Sequence, residues 1–315
     1  MIKLIFKLFC IIAVALAGCS NIQDESGSIE AHFCPKEDCS RIMEHEIRNA
    51  SKSISCAFYD LDIERLIDSL SDKSREIDAR IIIEADTLNG QIKGPGIKKD
   101  KNPALMHNKF CIIDDYLVTT GSMNPTHNDN EKNFNNLVVI KSRTAAEKFN
   151  EEFNEMWSGK FGGGNKVKNN EIRLNHSLLS VYFCPEDGCE DALIKEINSA
   201  ENSVYFMAFS FTSREISDAI IKKKQLDIRG VIDSGQAAGQ YSAFDKMADA
   251  GIHVIKDNKK YKLHHKVFII DNETVITGSF NPTLNGDTRN DENMISIKDR
   301  AIASQFLEEF EGLWN

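Results

Sequence analysis

MHNKFCIIDDYLVTTGSMNPT occupies residues 106–126, and LHHKVFIIDNETVITGSFNPT occupies residues 263–283. Each is an apolar strand entered through a histidine and a lysine two residues apart, turned at Asp114-Asp115 or Asp271-Asn272, and ended at Gly-Ser-x-Asn. Side chains alternate in an extended chain, so His107 and Lys109 share a face with Cys111 and Ile113, while Asn108, Phe110 and Ile112 take the other. A hairpin then returns Ser122 and Asn124 beside His107 and Lys109. The second stretch repeats the set as His264, Lys266, Asp271, Gly278, Ser279 and Asn281. Six such fixed positions arise at a given start roughly once in 10^7 to 10^8 tries at average residue usage.

The repetition extends outward. Residues 107–158 align with 264–315 without a gap, at 24 identities in 52 positions. Upstream, FCPKEDCSRIMEHEIRNASKSI is answered by FCPEDGCEDALIKEINSAENSV, so the chain is two copies of one unit. In each copy a strand meets a Cys-x4-Cys turn, a helix, a buried strand, a second helix, further apolar strands and a closing helix with Phe149, Phe153, Met156 and Trp157, or Phe306, Phe310, Leu313 and Trp314, at helical spacing. This alternation predicts an α/β class with helices packed on a sheet. The units are expected at 29–158 and 176–315, joined by a linker at 159–175 that contains GKFGGGNKVKNN. The second copy has room for a helix around Ala243–Ala250, where the first has a glycine-rich loop, Asn89–Pro103.

The N-terminus reads differently. Residues 1–18 form a basic-then-apolar export signal, and Leu16-Ala17-Gly18-Cys19 resembles a bacterial lipoprotein lipobox. That resemblance implies cleavage before Cys19, its lipidation, and a polar tether over 19–28; an ordinary secretory signal is the alternative. An exported, membrane-anchored lipoprotein of the periplasm or cell surface is the expectation. Losing Lys3 and Lys7 takes the formal charge from −10 to −12. A mature chain this acidic has no general basic face for polyanions, so an anionic substrate must be met locally.

In an exported protein the Cys-x4-Cys pairs read as local disulfides, Cys34 with Cys39 and Cys184 with Cys189. One four-cysteine zinc site joining both units is the rival. Cys56 and Cys111, inside apolar strands, read as buried free thiols. Lys98, Lys99 and Lys101 precede the first motif, and Lys256, Lys259, Lys260 and Lys262 the second. They form either solvated loops or a positive rim that steers an anionic substrate.

The pattern His-x-Lys-x4-Asp-x6-Gly-Ser-x-Asn, present twice, resembles the HKD motif of the phospholipase D superfamily, and the similarity covers both units. It implies two phospholipase D-like domains, each a mixed β-sheet flanked by helices, related by a pseudo-two-fold with the active site between them in a monomer. His107 is then expected as nucleophile and His264 as acid/base, with Lys109, Lys266, Asn124 and Asn281 holding the non-bridging oxygens. That charge task needs no metal and no cofactor. Phosphodiester chemistry asks for these groups: a nucleophile that splits the displacement in two, a proton donor for the leaving alkoxide, and donors for the phosphoryl oxygens.

The family also carries a carboxylate eleven residues after the motif asparagine, behind a histidine. Glu292 fits in the second copy, where it is expected behind His264. The first copy departs from the pattern with Asn135, expected behind His107. Asp114 and Asp271 are expected to support the hairpin turns, with Ser122 and Ser279 beside the site. His265 is read as packing or surface. The substrate is expected to be a phospholipid cleaved in the phospholipase D manner; the alternatives are a metal-independent endonuclease acting on DNA or RNA and, lastly, a non-catalytic binding module.

Overall fold

A computed structural model describes residues 22–87, 92 and 96–315. The signal segment, Cys19 and most of 88–95 lie outside the described residues. Strand β1 (Gln23–Glu25) precedes the first unit. That unit runs β2 (Ser28–Cys34), α1 (Cys39–Asn49), β3 (Ser53–Phe58), α2 (Glu64–Lys73), β4 (Asp78–Ile83) and β5 (Ile97–Lys99). The motif hairpin follows as β6 (Lys109–Ile113) and β7 (Leu117–Gly121), then α3 (His127–Glu131), β8 (Asn135–Lys141) and α4 (Arg143–Trp157).

The second unit begins with β9 (Glu171–Leu174), β10 (Ser177–Cys184), α5 (Cys189–Ser199), β11 (Ser203–Ala208), α6 (Arg214–Lys222) and β12 (Asp227–Ile232). After α7 (Ser234–Ala237), α8 (Phe244–Asp249) and β13 (His253–Lys256) come the hairpin β14 (Lys266–Ile270) and β15 (Thr274–Gly278), α9 (Leu284–Thr288), β16 (Glu292–Lys298) and α10 (Arg300–Trp314). The extra helix expected near Ala243–Ala250 is α8.

The two sheets share one strand order. The first is β2-β8-β7-β6-β3-β4-β5, and β10-β16-β15-β14-β11-β12-β13 repeats it, extended at one edge by β9 and β1. The linker is not loop to its end, because Glu171–Leu174 is strand, and the tether is not free, because Gln23–Glu25 pairs in parallel with it. The loop expected over Asn89–Pro103 likewise contains β5, in parallel register with β4.

Alternation along the strands sorts their side chains between two cores. Phe110 and Ile112 join Phe33, Phe149, Phe183 and Phe306 in a core that lies between the units, while Cys111 and Ile113 face the core under α1 and α2. The pseudo-two-fold is visible in single contacts: Phe149 of α4 meets Phe183 of β10 at 5.1 Å, and Phe306 of α10 meets Phe33 of β2 at 5.0 Å, both edge-on. Such pairs add about 0.5–1.5 kcal/mol beyond their burial. Each closing helix therefore bonds its own sheet to the partner unit's first strand.

Cys34–Cys39 and Cys184–Cys189 are disulfides within their units, which leaves no thiolates in those turns for a shared zinc. Cys56 and Cys111 are not free thiols. They stand directly opposite in the antiparallel pair of β3 and β6, and this juxtaposition closes a third disulfide.

The aspartate of each motif holds two segments together. Asp114, itself at φ 55°, accepts backbone N–H groups from Ser51, Lys52 and Ser53, the last two at 2.7 and 3.0 Å. Asp271 does the same for Glu201, Asn202 and Ser203. Burial opposes ionisation of Asp114, but these donors outweigh it and lower its pKa. The motif glycine is equally local in its cause. Gly121 sits at φ 134°, and a Cβ there would lie 2.4 Å from the Asn136 carbonyl oxygen, a position only glycine tolerates.

One feature of the seam is titratable. Glu152 of α4 is buried beside Glu186 of the second unit, and burial, then the charge of Glu186, raises its pKa well above the carboxylate range. Asp291 nearby is pushed up to about 7, first by burial. A carboxyl whose folded pKa is raised contributes full stability below its unfolded pKa and loses it as pH climbs through the folded value. Glu152→Gln, which keeps a donor toward Glu186, is therefore expected to raise Tm by a few degrees at pH 8 and to leave it unchanged at pH 4. Thermal melts at the two pH values check this.

Candidate active site

The two motif strands begin at the seam, and backbone bonds fix how they meet. His107 N donates to Asp291 O at 2.9 Å, and Asp291 N to Leu105 O at 2.9 Å; His264 N donates to Phe134 O and Phe134 N to Lys262 O, also at 2.9 Å each. Each histidine is thus tied to the residue just before the other unit's last strand. The next residue of that strand faces its ring.

The consequence reverses the expected pairing. His107 Nδ1 lies 2.7 Å from Glu292 Oε2, and His264 Nδ1 lies 2.9 Å from Asn135 Oδ1. Glu292 does not stand behind His264, nor Asn135 behind His107, because support crosses between units. In both cases the partner oxygen only accepts, so Nδ1 carries the hydrogen and Nε2 presents its lone pair. The orientation of the Asn135 amide follows from its Nδ2, which donates to the carbonyl oxygens of Asp129 and Asn133.

A further carboxylate stands at His264. Asp129 Oδ2 is 3.3 Å from His264 Nδ1 and also accepts from Asn124 N and Nδ2 at 2.9 and 2.8 Å. It is not among the residues the two copies share, since the equivalent residue is Gly286.

The lysines are held alike. Lys109 Nζ donates to His107 O and Lys266 Nζ to His264 O, both at 2.7 Å, over the rings of Tyr59 at 5.1 Å and Phe209 at 5.3 Å. These two aromatic residues also pack edge-on against His107 and His264 at 4.8 and 4.9 Å. Ser122 and Ser279 lie one step back: their hydroxyls accept from Asn136 N and Asn293 N at 3.0 and 2.9 Å.

Behind the site, Asn293 Nδ2 donates to Asn108 Oδ1 at 2.8 Å, and Asn136 Nδ2 meets His265 Nδ1 at 3.0 Å. His265 is fully buried, so it packs the seam and is not on the surface. The lysine rim divides. Lys262 lies 5.7 Å from the Phe209 ring, whereas Lys98 turns onto Trp157 at 4.0 Å and Lys259 donates to Gly312 O.

Electrostatics treats all this as one site. Burial pushes His107 down to about 4, opposed by Glu292 and reinforced by Lys109 and Lys266. Burial pushes His264 down to about 3, reinforced by Lys266 and opposed by Asp129. Lys109 falls to about 8 by burial, and burial together with Lys109 lowers Lys266 well below the usual lysine value. Each cation is felt across the seam. The arrangement is two neutral imidazoles over two crowded ammonium groups, a place that an anionic phosphoryl group would relieve.

Two imidazoles and two ammonium groups, one of each from either unit, thus meet at the seam. A family described as "Cardiolipin synthase, PLD-like domain" matches residues 43–157 and again 193–314, and the chain belongs to the phospholipase D superfamily, as a phosphoric diester hydrolase. A phospholipase D of Rickettsia prowazekii (strain Madrid E) is 35% identical over 137 residues, 43% of this chain and 67% of the relative. A mitochondrial cardiolipin hydrolase of Chlamydomonas reinhardtii is 34% identical over 38% of this chain and 54% of the relative. Both matches are the size of one unit. The fold over both units resembles that of phosphatidylserine synthase from Haemophilus influenzae Rd KW20, with a TM-score of 0.66 at 11% identity, covering 90% of this chain and 85% of that one.

Proposed function

We propose that the chain hydrolyses phospholipids in the phospholipase D manner, through a phosphohistidine on His107. The observation that carries the mechanism is the 2.7 Å contact of a buried carboxylate, Glu292, with His107 Nδ1. Glu292 fixes the tautomer that aims Nε2 at phosphorus, and it balances the positive charge that the imidazole gains on attack. In the first step a His107 Nε2–P bond forms as the P–O bond to the head group breaks, and His264 gives that oxygen a proton. In the second, His264 takes a proton from water, the water oxygen bonds to phosphorus, and the P–N bond breaks. Lys109, Lys266, Asn124 and Asn281 stabilise the non-bridging oxygens throughout.

The donor of the first step must be charged, whereas burial pushes His264 down to about 3. The negative charge of a bound phosphodiester acts in the opposite direction to burial and favours the protonated form of His264, while His107 attacks as the neutral imidazole. Phospholipid is favoured over nucleic acid by the acidic mature chain and by what the relatives of Rickettsia and Chlamydomonas are named for. Lipidation of Cys19 after export would hold the enzyme at its substrate. Among the described residues no helix is long and apolar enough to cross a membrane.

The test is one preparation assayed in EDTA on phospholipid vesicles with and without a primary alcohol, and on single- and double-stranded DNA and RNA. Head-group release with phosphatidyl transfer to the alcohol is expected. Cleavage of nucleic acid alone, falling steeply with salt, would replace phospholipase by nuclease. Loss of all activity in EDTA would overturn the metal-independent mechanism.

A further inference from the structure

We infer that Asp129 is the positioning carboxylate of His264, the counterpart of Glu292 behind His107, supplied from a different place in the chain because residue 135 is an amide. The inference rests on the two-histidine reading of the site. In sequence the two halves differ at both positions concerned: Asn135 stands where the second unit has Glu292, and Asp129 stands where the second unit has Gly286. A carboxylate lost at one position is offset by one gained six residues earlier, across a single turn of chain.

The surroundings agree. Asn290 Nδ2 donates to Glu292 Oε1 at 3.2 Å, and its equivalent in the first unit, Asn133, donates through Nδ2 to Asp129 Oδ1 at 2.7 Å. The same asparagine therefore holds the supporting carboxylate in each half, although the two carboxylates leave the backbone six residues apart. Asp129 is buried. Burial opposes its ionisation, but His264 and the donors from Asn133 and Asn124 outweigh that and hold it well below the usual carboxylate range. The ring of His264 is otherwise faced by the Asn135 amide, the Phe209 ring and the ammonium groups of Lys266 and Lys109. Asp129 is the negative charge acting on it against two positive ones.

Its position differs from that of Glu292 in one respect that matters. Among the described residues Glu292 stands alone against His107 Nδ1, whereas Asp129 shares His264 Nδ1 with Asn135 Oδ1, the nearer acceptor. Asn135 keeps the ring oriented and Asp129 sets its basicity. Asp129 also fastens Asn124 through two hydrogen bonds, so a purely structural role must be separated from an electrostatic one.

The experiment uses the full chain and bis(p-nitrophenyl) phosphate. Nitrophenolate departs without a donor, so the task left to His264 is to activate water. Asp129→Asn is expected to lower kcat roughly 10- to 100-fold with KM little changed. The acidic limb of the kcat profile should move to lower pH, because a base that loses a neighbouring anion is protonated less readily. The double variant D129G/N135E gives the first unit the two residues that the second unit has, and it should recover most of the wild-type rate and the position of the limb. It also keeps the idea testable if D129N fails to fold. Wild-type rates in D129N would overturn the inference, as would a slow D129N with an unmoved limb, or a folded D129G/N135E no faster than D129N. An inactive wild type would instead overturn the phosphodiesterase reading, and the inference with it.

Discussion

Replacing His107 with asparagine is expected to abolish turnover, by roughly 10^4-fold or more, and to leave no trace of a covalent intermediate, because the atom that attacks phosphorus is gone. Replacing His264 with asparagine should be equally damaging to turnover but not to the first step when the leaving group needs no proton. With bis(p-nitrophenyl) phosphate, H264N should release one equivalent of nitrophenolate per chain in a burst and then stall. The stalled protein should carry a p-nitrophenyl phosphoryl group bound through nitrogen to His107, seen as a mass increase on the intact chain and as a phosphorus–nitrogen resonance by 31P NMR. Wild type should show neither at steady state, and H107N neither at any time. A burst in H107N and none in H264N would exchange the two roles.

The asymmetry that makes this experiment informative was only half legible in the sequence. The motif residues were, because two copies kept the same six positions while residues around them changed, as Cys111/Phe268 and Tyr116/Glu273 show. The inequality of Asn135 and Glu292 was equally plain. Which histidine each one serves was not. Equivalence between copies says that two residues occupy the same place in their own units, and it is silent on which unit they face. The answer lies in two backbone bridges across the seam, Met106 with Asp291 and Phe134 with Leu263, contacts between segments more than a hundred residues apart. Asp129 was hidden for the opposite reason. A comparison that looks for what the copies share passes over a residue present in one only, although an acid gained next to an acid lost was a signal available to be read.

The same distinction separates the rest of the fold. Much of the order of strands and helices followed from periodicity, and room for the extra helix α8 followed from the longer spacing of Asp233 to His264 against Glu84 to His107. The disulfide of Cys56 with Cys111 did not, since it depends on the register of β3 against β6, and a shift of one residue would have turned the two side chains to opposite faces. Strands β1 and β9 are three and four residues long, too short for alternation to declare them. They exist because the second sheet offers an edge on which to pair.

Glu292→Gln should be the most damaging change outside the residues that touch phosphate. It keeps the size and hydrogen-bonding capacity of the side chain but removes the negative partner of His107, and among the described residues nothing else accepts from His107 Nδ1. An amide can turn its NH2 toward the ring, which would leave Nδ1 as the acceptor and put the hydrogen on Nε2, where it blocks attack. The comparable loss at a serine protease aspartate is about 10^4-fold, and a fall in kcat of roughly 10^3- to 10^4-fold is expected here, with KM little affected. The effect should exceed that of Asp129→Asn, because His264 keeps the Asn135 carbonyl when Asp129 is lost, whereas at His107 the Asn290 donor holds the substituted amide's oxygen and leaves its NH2 facing the ring. Steady-state kinetics on one substrate, with 15N spectra of the imidazoles to report which nitrogen carries the hydrogen, measure both parts. If E292Q and D129N are equally slow and the His107 tautomer is unchanged in E292Q, then support across the seam orders the chain and does not direct the nucleophile. If E292Q is far slower and the hydrogen moves to Nε2, each unit carries the catalytic support of the other, and neither half of the duplicated chain holds a complete site.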